Sequence, residues 1–335
     1  MTVEFLYFIW LIFFGCLLAS MFKIGKGGLL YAFVVLVFIA WSVIVRFSGY
    51  DRDMVVYELS MVSESLNIYY LKEPVFWVFS RFLYDLFGKS QYVFIFYDVV
   101  SFVLLASYIK KSNLPIYTLL LFLCFFPSMM GMQNVYRQYL ASIFLLCGFL
   151  SSINRESNSK QMLLFIIAGL THNVAFVFFP LKFIFSNSQY VERKTLFFLC
   201  CASVIILLPL ALSTKSSNDT GDIPIAAYLI LQLIILIFFI FANKGKMLGQ
   251  WIGYFYIQVF FFVLTLTSSF LVGSAQSKRI GMICLMISLL PMIKVIENRF
   301  KGNVSIRLCF FISAAAPALI FASSRNFLLS EIILN

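Results

Sequence analysis

Charge is scarce in this chain, and imidazole scarcer still: 12% of its 335 residues are Asp, Glu, Lys or Arg, 14 are acidic, and His172 is the single histidine. A soluble domain carries about a quarter charged residues, so a wholly aqueous surface is excluded. With one histidine and no acidic cluster inside the apolar runs, neither a dedicated metal cage nor a cofactor site is expected; a divalent ion bridging substrate phosphates stays open. The seven cysteines, Cys16, Cys124, Cys147, Cys200, Cys201, Cys284 and Cys309, lie in apolar stretches at no CxxC spacing. That pattern argues against a zinc site or a disulfide framework and for small packing residues. No basic segment precedes the first apolar run, so a cleaved leader is not expected and Val3 to Met21 reads as a retained span. The alternation of short strands that a membrane β-barrel needs is missing too. Lys23-Ile24-Gly25-Lys26-Gly27-Gly28 lacks the spacing and the closing Lys-Ser/Thr of a phosphate loop, and reads as a tight turn.

What the chain has in abundance is hydrocarbon: 62% hydrophobic residues, 41 phenylalanines and a mean hydropathy of +0.97. No soluble core of this length buries that much, so lipid is the solvent for most side chains. A helix needs about 20 apolar residues to cross the hydrocarbon layer. Runs near residues 3–21, 29–47, 91–109, 115–130, 138–153, 195–213, 225–242, 250–272, 280–296 and 306–323 meet or approach that length. Residues 162–185 form a further apolar block, interrupted by Gly169, Thr171, His172 and Asn173 and followed at Pro180, which reads as a broken helix or a re-entrant pair. The expected fold is an all-α polytopic membrane protein with about ten transmembrane helices. It forms one integral domain over 1–335, with a loop of interfacial helices at 48–90, a motif-bearing core at 46–185 and a C-terminal helix bundle at 195–323.

Basic pairs recur in the short connections: Lys23 and Lys26, Lys110 and Lys111, Arg155 and Lys160, Arg193 and Lys194, Lys244 and Lys246, Arg299 and Lys301. All fall on the cytoplasmic side if the 162–185 block returns to the face it entered from, whereas a single crossing there inverts everything downstream. In that orientation the N-terminus, the 46–90 loop and the turns at 131–137, 213–224 and 273–279 face outward. Arg137, Lys278 and Arg279 then stand on the disfavoured side, which makes them candidates for function or for headgroup contact. The formal charge of +11 is scattered between apolar runs, which fits anionic lipid or lipid phosphate as partner and not nucleic acid. Within the loop, Met54 to Tyr70 and Pro74 to Phe87 carry apolar residues at a helical period, the second with Arg81 and Asp85 at i,i+4 spacing.

Three polar clusters could carry chemistry. Arg46, Tyr50, Asp51, Arg52, Asp53 and Tyr57 offer a general base beside a cation, suited to activating a sugar hydroxyl next to a phosphate, or else a solvated loop of mutually paired charges. Gln133, Asn134, Arg137 and Gln138 put a guanidinium fork, able to grip phosphate bidentately, at a helix end where snorkelling to headgroups is the plainer alternative. His172 stands alone at the break in its apolar block, as an acid, a base, a phosphate donor or a packed and hydrogen-bonded residue. Lys278 and Arg279 close the flexible turn Gly273-Ser274-Ala275-Gln276-Ser277 and could fold over a ligand or serve topology alone.

Taken in order, Arg46 with Gly49-Tyr50-Asp51-Arg52-Asp53 and Tyr57, then Glu73-Pro74-Val75-Phe76, then Asn134-Val135-Tyr136-Arg137-Gln138 with Ala141, then His172, resemble the Wzy/EpsG-type polysaccharide polymerases. The likeness covers residues 46–175; beyond them only further apolar spans match. It implies a glycosyltransferase of the bacterial inner (cytoplasmic) membrane, acting in O-antigen, capsule or other polysaccharide biosynthesis. Undecaprenyl-pyrophosphate-linked oligosaccharide is then both donor and acceptor, joined at the periplasmic or outer face, with a chain-length-regulating membrane protein as a further partner. On this reading Asp51, Asp53, Arg137 and His172 are catalytic, and Arg46, Arg52, Tyr57, Glu73, Asn134, Gln138, Lys278 and Arg279 bind substrate. A lipid-linked glycan flippase would want its cations along a route through the membrane. A glycan ligase would differ only in its acceptor, and an acyltransferase would want an HxxxD pair that His172 lacks.

Overall fold

A computed structural model describes residues 2–21, 28–49, 52–63, 68–184, 223–242 and 250–329. Among these residues every regular element is helical: α1 (Val3–Met21), α2 (Gly28–Phe47), α3 (Arg52–Val62), α4 (Pro74–Phe87), α5 (Ser90–Lys111), α6 (Tyr117–Cys124), α7 (Phe126–Gln133), α8 (Tyr136–Ile153), α9 (Asn158–Thr171), α10 (Leu181–Ile184), α11 (Ile225–Ala242), α12 (Gln250–Leu271), α13 (Ser274–Arg299), α14 (Val304–Ile320) and α15 (Ala322–Leu328). Two 3₁₀ segments, Ile68–Lys72 and Asn173–Phe178, complete the set. Helices α1, α2, α5, α11, α12 and α13 have the length and apolarity to cross a bilayer, and α14 is apolar but shorter. The chain is an all-α polytopic membrane protein. The run expected as a span at 195–213 lies outside the described residues, as do the basic pairs at 23 and 26, 193 and 194, and 244 and 246, and most of the 213–224 turn.

The run expected to cross at 115–130 is two helices. After α6 the backbone of Phe125 is extended (φ −71°, ψ 127°), and α7 restarts with Pro127 in its first turn. Proline has no N–H to give to the preceding turn and its ring collides with the carbonyl four residues back, so the first helix must end before it. A second break lies at Phe321, extended between α14 and α15; here the proline, Pro317, sits inside the preceding helix. The two breaks meet, with the rings of Phe126 and Phe321 4.6 Å apart.

The block around His172 turns back on itself. At ~1.5 Å per residue α9 rises only ~21 Å, short of the ~30 Å hydrocarbon layer. His172 is extended (φ −150°, ψ 115°) and the chain returns as the 3₁₀ segment, tied by the Ala175 N–H donating to the His172 carbonyl at 2.8 Å. Gly169 makes the reversal possible, since a Cβ there would lie 2.4 Å from the Phe176 ring. On the return Lys182 reaches Met162, one turn from the start of α9, so both limbs open at the same end. The re-entrant alternative is the one adopted.

Helices α8 and α13 form the centre: α8 is buried along nearly its whole length, and 83% of α13's apolar window is enclosed by protein, against 33% for α1 and 28% for α11. Small residues let neighbours approach α8, as at Gly148 against Phe165 of α9. The described basic connections gather at one end. There Lys110 lies over Tyr31, Lys111 pairs with Glu156, Glu297 accepts from Tyr117 and Arg307, and Arg299 donates to the Ala242 carbonyl. The end of α2, the starts of α5, α8 and α13, and the tip of α9 form the other end. Helix α4 folds back over the first turns of α5 through Gly88, whose positive φ (71°) a side chain would strain, and Tyr97 of α5 donates to the Val75 carbonyl at 3.0 Å. Arg81 ties α4 to α3, donating to the Ser60 carbonyl at 3.0 Å and stacking on Tyr70.

Candidate functional site

Two arginine–carboxylate clusters lie side by side at this second end. In the first, Arg46 from α2 meets Asp98 from α5, Nε to Oδ2 at 2.9 Å and Nη2 to Oδ1 at 3.1 Å. Asp98 also accepts from the Ser42 hydroxyl at 2.6 Å and from the Tyr136 hydroxyl at 2.8 Å, while Arg46 Nη1 donates to the Met132 carbonyl at 2.8 Å. The guanidinium also stacks on the Tyr136 ring, 4.5 Å from its centroid. Arg46 is 2% exposed and Asp98 is fully buried. Two charges at this depth are tolerable because each is paired and hydrogen-bonded. The cluster joins α2, α5, α7 and α8.

In the second cluster the hub is Glu73, which is also fully buried. It stands just before α4, where Pro74 occupies the first turn, and its carboxylate does not cap that helix. Instead it turns inward. Oε1 accepts from His172 Nδ1 at 2.8 Å and from the Asn173 backbone N–H at 3.0 Å; Oε2 accepts from Arg137 and from Trp77 Nε1 at 3.3 Å. One carboxylate thereby fastens α4 to the start of α8 and to the tip of the re-entrant hairpin. Arg137 also packs against Trp77 and Tyr57, 4.6 and 5.3 Å from the centroids of their mutually edge-to-face rings.

Above this hub lies an open recess lined by Asp53, Tyr57, Val135, Arg137, Gln138, His172 and Arg279. Its walls come from α3, α8, α9 and α13, so residues more than two hundred positions apart face one space. Gln138 donates to the Arg279 carbonyl at 2.6 Å, which sets the start of α13 against α8. Gln138 Oε1 and Arg279 Nε are buried with no hydrogen-bond partner among the described residues. Buried polar atoms are nearly always satisfied, so these two call for water or a polar ligand. Burial pushes the Tyr57 phenol up and Asp53 adds to the rise, while Arg137 and Arg279 oppose it; the phenol is a proton donor at neutral pH. The recess therefore offers guanidinium, phenol and amide donors together with one carboxylate and one imidazole.

Of the residues singled out from sequence, Asp53, Tyr57, Arg137, Gln138, His172 and Arg279 converge on the recess, and Glu73 lies directly beneath it. Arg46 does not line it and belongs to the neighbouring cluster. Asn134 caps α7 and Lys278 is buried at the start of α13; neither lines the recess. Asp51 and the Arg52 side chain lie outside the described residues. Asp98 and Trp77 were missed. For Asp98 a signal existed, a carboxylate inside an otherwise apolar spanning run; for Trp77, one turn after Glu73, none separated it from the other aromatics.

An all-helical bundle of apolar spans, with a recess that brings two arginines together at one end, defines the class: a polytopic membrane protein. The profile of the EpsG family matches residues 29–332, and the chain belongs to that family, which is related to the Wzy-type polymerases and points to a polysaccharide-polymerase role. The match extends well past the motifs legible in residues 46–175 and takes in the C-terminal bundle. No curated protein and no solved structure matches the chain.

Proposed function

We propose that the protein is a glycosyltransferase that joins lipid-diphosphate-linked oligosaccharides into a polysaccharide, and that the recess holds the diphosphate and first sugars of the donor. The observation that carries this reading is the meeting of Arg137 and Arg279 with Tyr57 and Gln138 around one recess. Guanidinium forks match phosphate oxygens bidentately. Fixed cations offset the charge that grows on a departing diphosphate, where they are worth more than in water. Asp53 and His172 supply proton acceptors for the incoming hydroxyl of a second lipid-linked unit. Arg46 is proposed as the support of this site and not as a contact to substrate, since its donors already face Asp98 and Met132.

The recess opens at the end opposite Lys110, Lys111, Arg155, Lys160, Arg299 and Lys301. By the positive-inside rule those residues favour the cytoplasm, which supports an outer, periplasmic face of a bacterial inner membrane as the place of the chemistry. Cations gathered at one end, and not strung along a path, favour transfer over flipping. The test is to supply purified lipid-linked repeat units to the full-length protein in vesicles. A ladder of products is expected for the wild type and none for Arg137→Ala present at equal membrane level. Transfer of one unit without growth would make it a ligase; a ladder from the variant would refute the assignment.

A further inference from the structure

We infer that His172 takes the proton of the acceptor hydroxyl through Nε2, and that Glu73 is its positioning residue and does not touch substrate. The inference rests on the polymerase reading and deepens it. Glu73 is fully buried, and each carboxylate oxygen is already engaged: Oε1 by His172 Nδ1 at 2.8 Å and the Asn173 N–H at 3.0 Å, Oε2 by Arg137 and Trp77. It has no reach into the recess. What it does is fix the ring. A carboxylate can only accept, so the proton of the neutral imidazole sits on Nδ1 and the lone pair on Nε2. The Asn173 N–H, next in the chain to His172, grips the same oxygen and ties the carboxylate to the hairpin tip that carries the ring. His172 itself is 3% exposed and lines the recess.

Among the described residues that line the recess, Asp53 is the other side chain able to act as a base. An ordinary carboxylate takes a proton well below neutrality, whereas imidazole does so near pH ~6.5, and a base matched to the working pH is the more effective. Glu73 also offsets the charge of the imidazolium that forms, as the third member of any nucleophile–base–orienter arrangement does. In the step, the hydroxyl oxygen bonds the donor's anomeric carbon as its proton passes to Nε2. The bond from that carbon to the diphosphate oxygen breaks, and its electron pair leaves on the diphosphate facing Arg137 and Arg279. The imidazolium then returns its proton to water. Among the described residues, the charges facing His172 are Glu73 ahead of α4, Arg137 on α8, Asp53 on α3 and Arg279 on α13.

The test measures transfer rate against pH in outward-facing vesicles from a producing strain, using the lipid-linked units which that strain makes, for wild type, Glu73→Gln, His172→Ala and Asp53→Asn. The wild-type rate should fall on the acid side as the imidazole charges. In Glu73→Gln the imidazolium loses its anionic partner, so that fall should move about one to three pH units lower and the plateau should drop. His172→Ala should lose about 100-fold or more and regain part of it with added imidazole; this variant leaves Glu73 its bond to Arg137 and carries the test if Glu73→Gln fails to accumulate. An unmoved acid limb in Glu73→Gln, no imidazole rescue, or an acid limb abolished by Asp53→Asn and kept by His172→Ala would overturn the inference. No transfer by the wild type would instead overturn the polymerase reading, whatever the variants do.

Discussion

The two arginine–carboxylate clusters share their chemistry and differ in what surrounds them. Arg46 and Asp98 are closed: both side chains are buried, and serine, tyrosine and a backbone carbonyl complete the shell. Arg137 and Glu73 are half open: the carboxylate is enclosed, but the arginine side chain keeps 16% of its surface and borders the recess with His172. A closed pair fastens helices, whereas a pair with one partly exposed member can fasten helices and still border a ligand site. The same sequence signal, an arginine near the end of an apolar run, thus marks a brace in one place and a candidate phosphate ligand in the other.

Substitutions should separate the two. Removing one partner of the closed pair, by Arg46→Ala or Asp98→Asn, leaves an uncompensated buried charge or a broken shell and should cost ~3–5 kcal/mol of stability. The expected result is little protein in the membrane, and polymer lost in proportion; normal protein level with no polymer would make Arg46 a functional residue instead. Arg137→Ala should cost ~100- to 1,000-fold in transfer, the range seen on removal of a donor to a charge that grows in the transition state. Because Arg137→Ala also strips the buried Glu73 of its cation, the loss is read per molecule, at a membrane level matched by immunoblot. Arg279→Ala, which leaves the Glu73 hub intact, should cost ~10- to 100-fold, one charge-assisted contact, read mainly as weaker binding of the lipid-linked unit. The smallest effect belongs to Ser42→Ala, which takes one of several donors from Asp98 and should lower stability by ~0.5–1.5 kcal/mol without changing transfer per molecule. A kinetic defect in that variant would mean that the closed cluster is coupled to the recess.

The helical class and most span boundaries were legible because hydrophobic length is a local property: α1, α2, α4 and α11 lie within a residue of the runs that announce them. The breaks at Phe125 and Phe321 were not, since the residues around each break keep the run apolar. Of the recess, Arg137, His172, Asp53 and Tyr57 could be picked out because polar groups stand out against lipid. What sequence could not separate was Arg46 from Arg137, or give Glu73 its place as hub. Both depend on which side chains arrive from other helices, and pairing across 64 to 99 positions leaves no local trace.

The most direct measurement is the affinity of the detergent-purified, full-length protein for undecaprenyl diphosphate. The wild type should bind it, Ser42→Ala should bind it equally, and the double variant Arg137→Ala/Arg279→Ala should bind at least ~100-fold more weakly, two charge-assisted contacts having been removed. Equal affinity of the folded double variant and the wild type would contradict a diphosphate site in the recess.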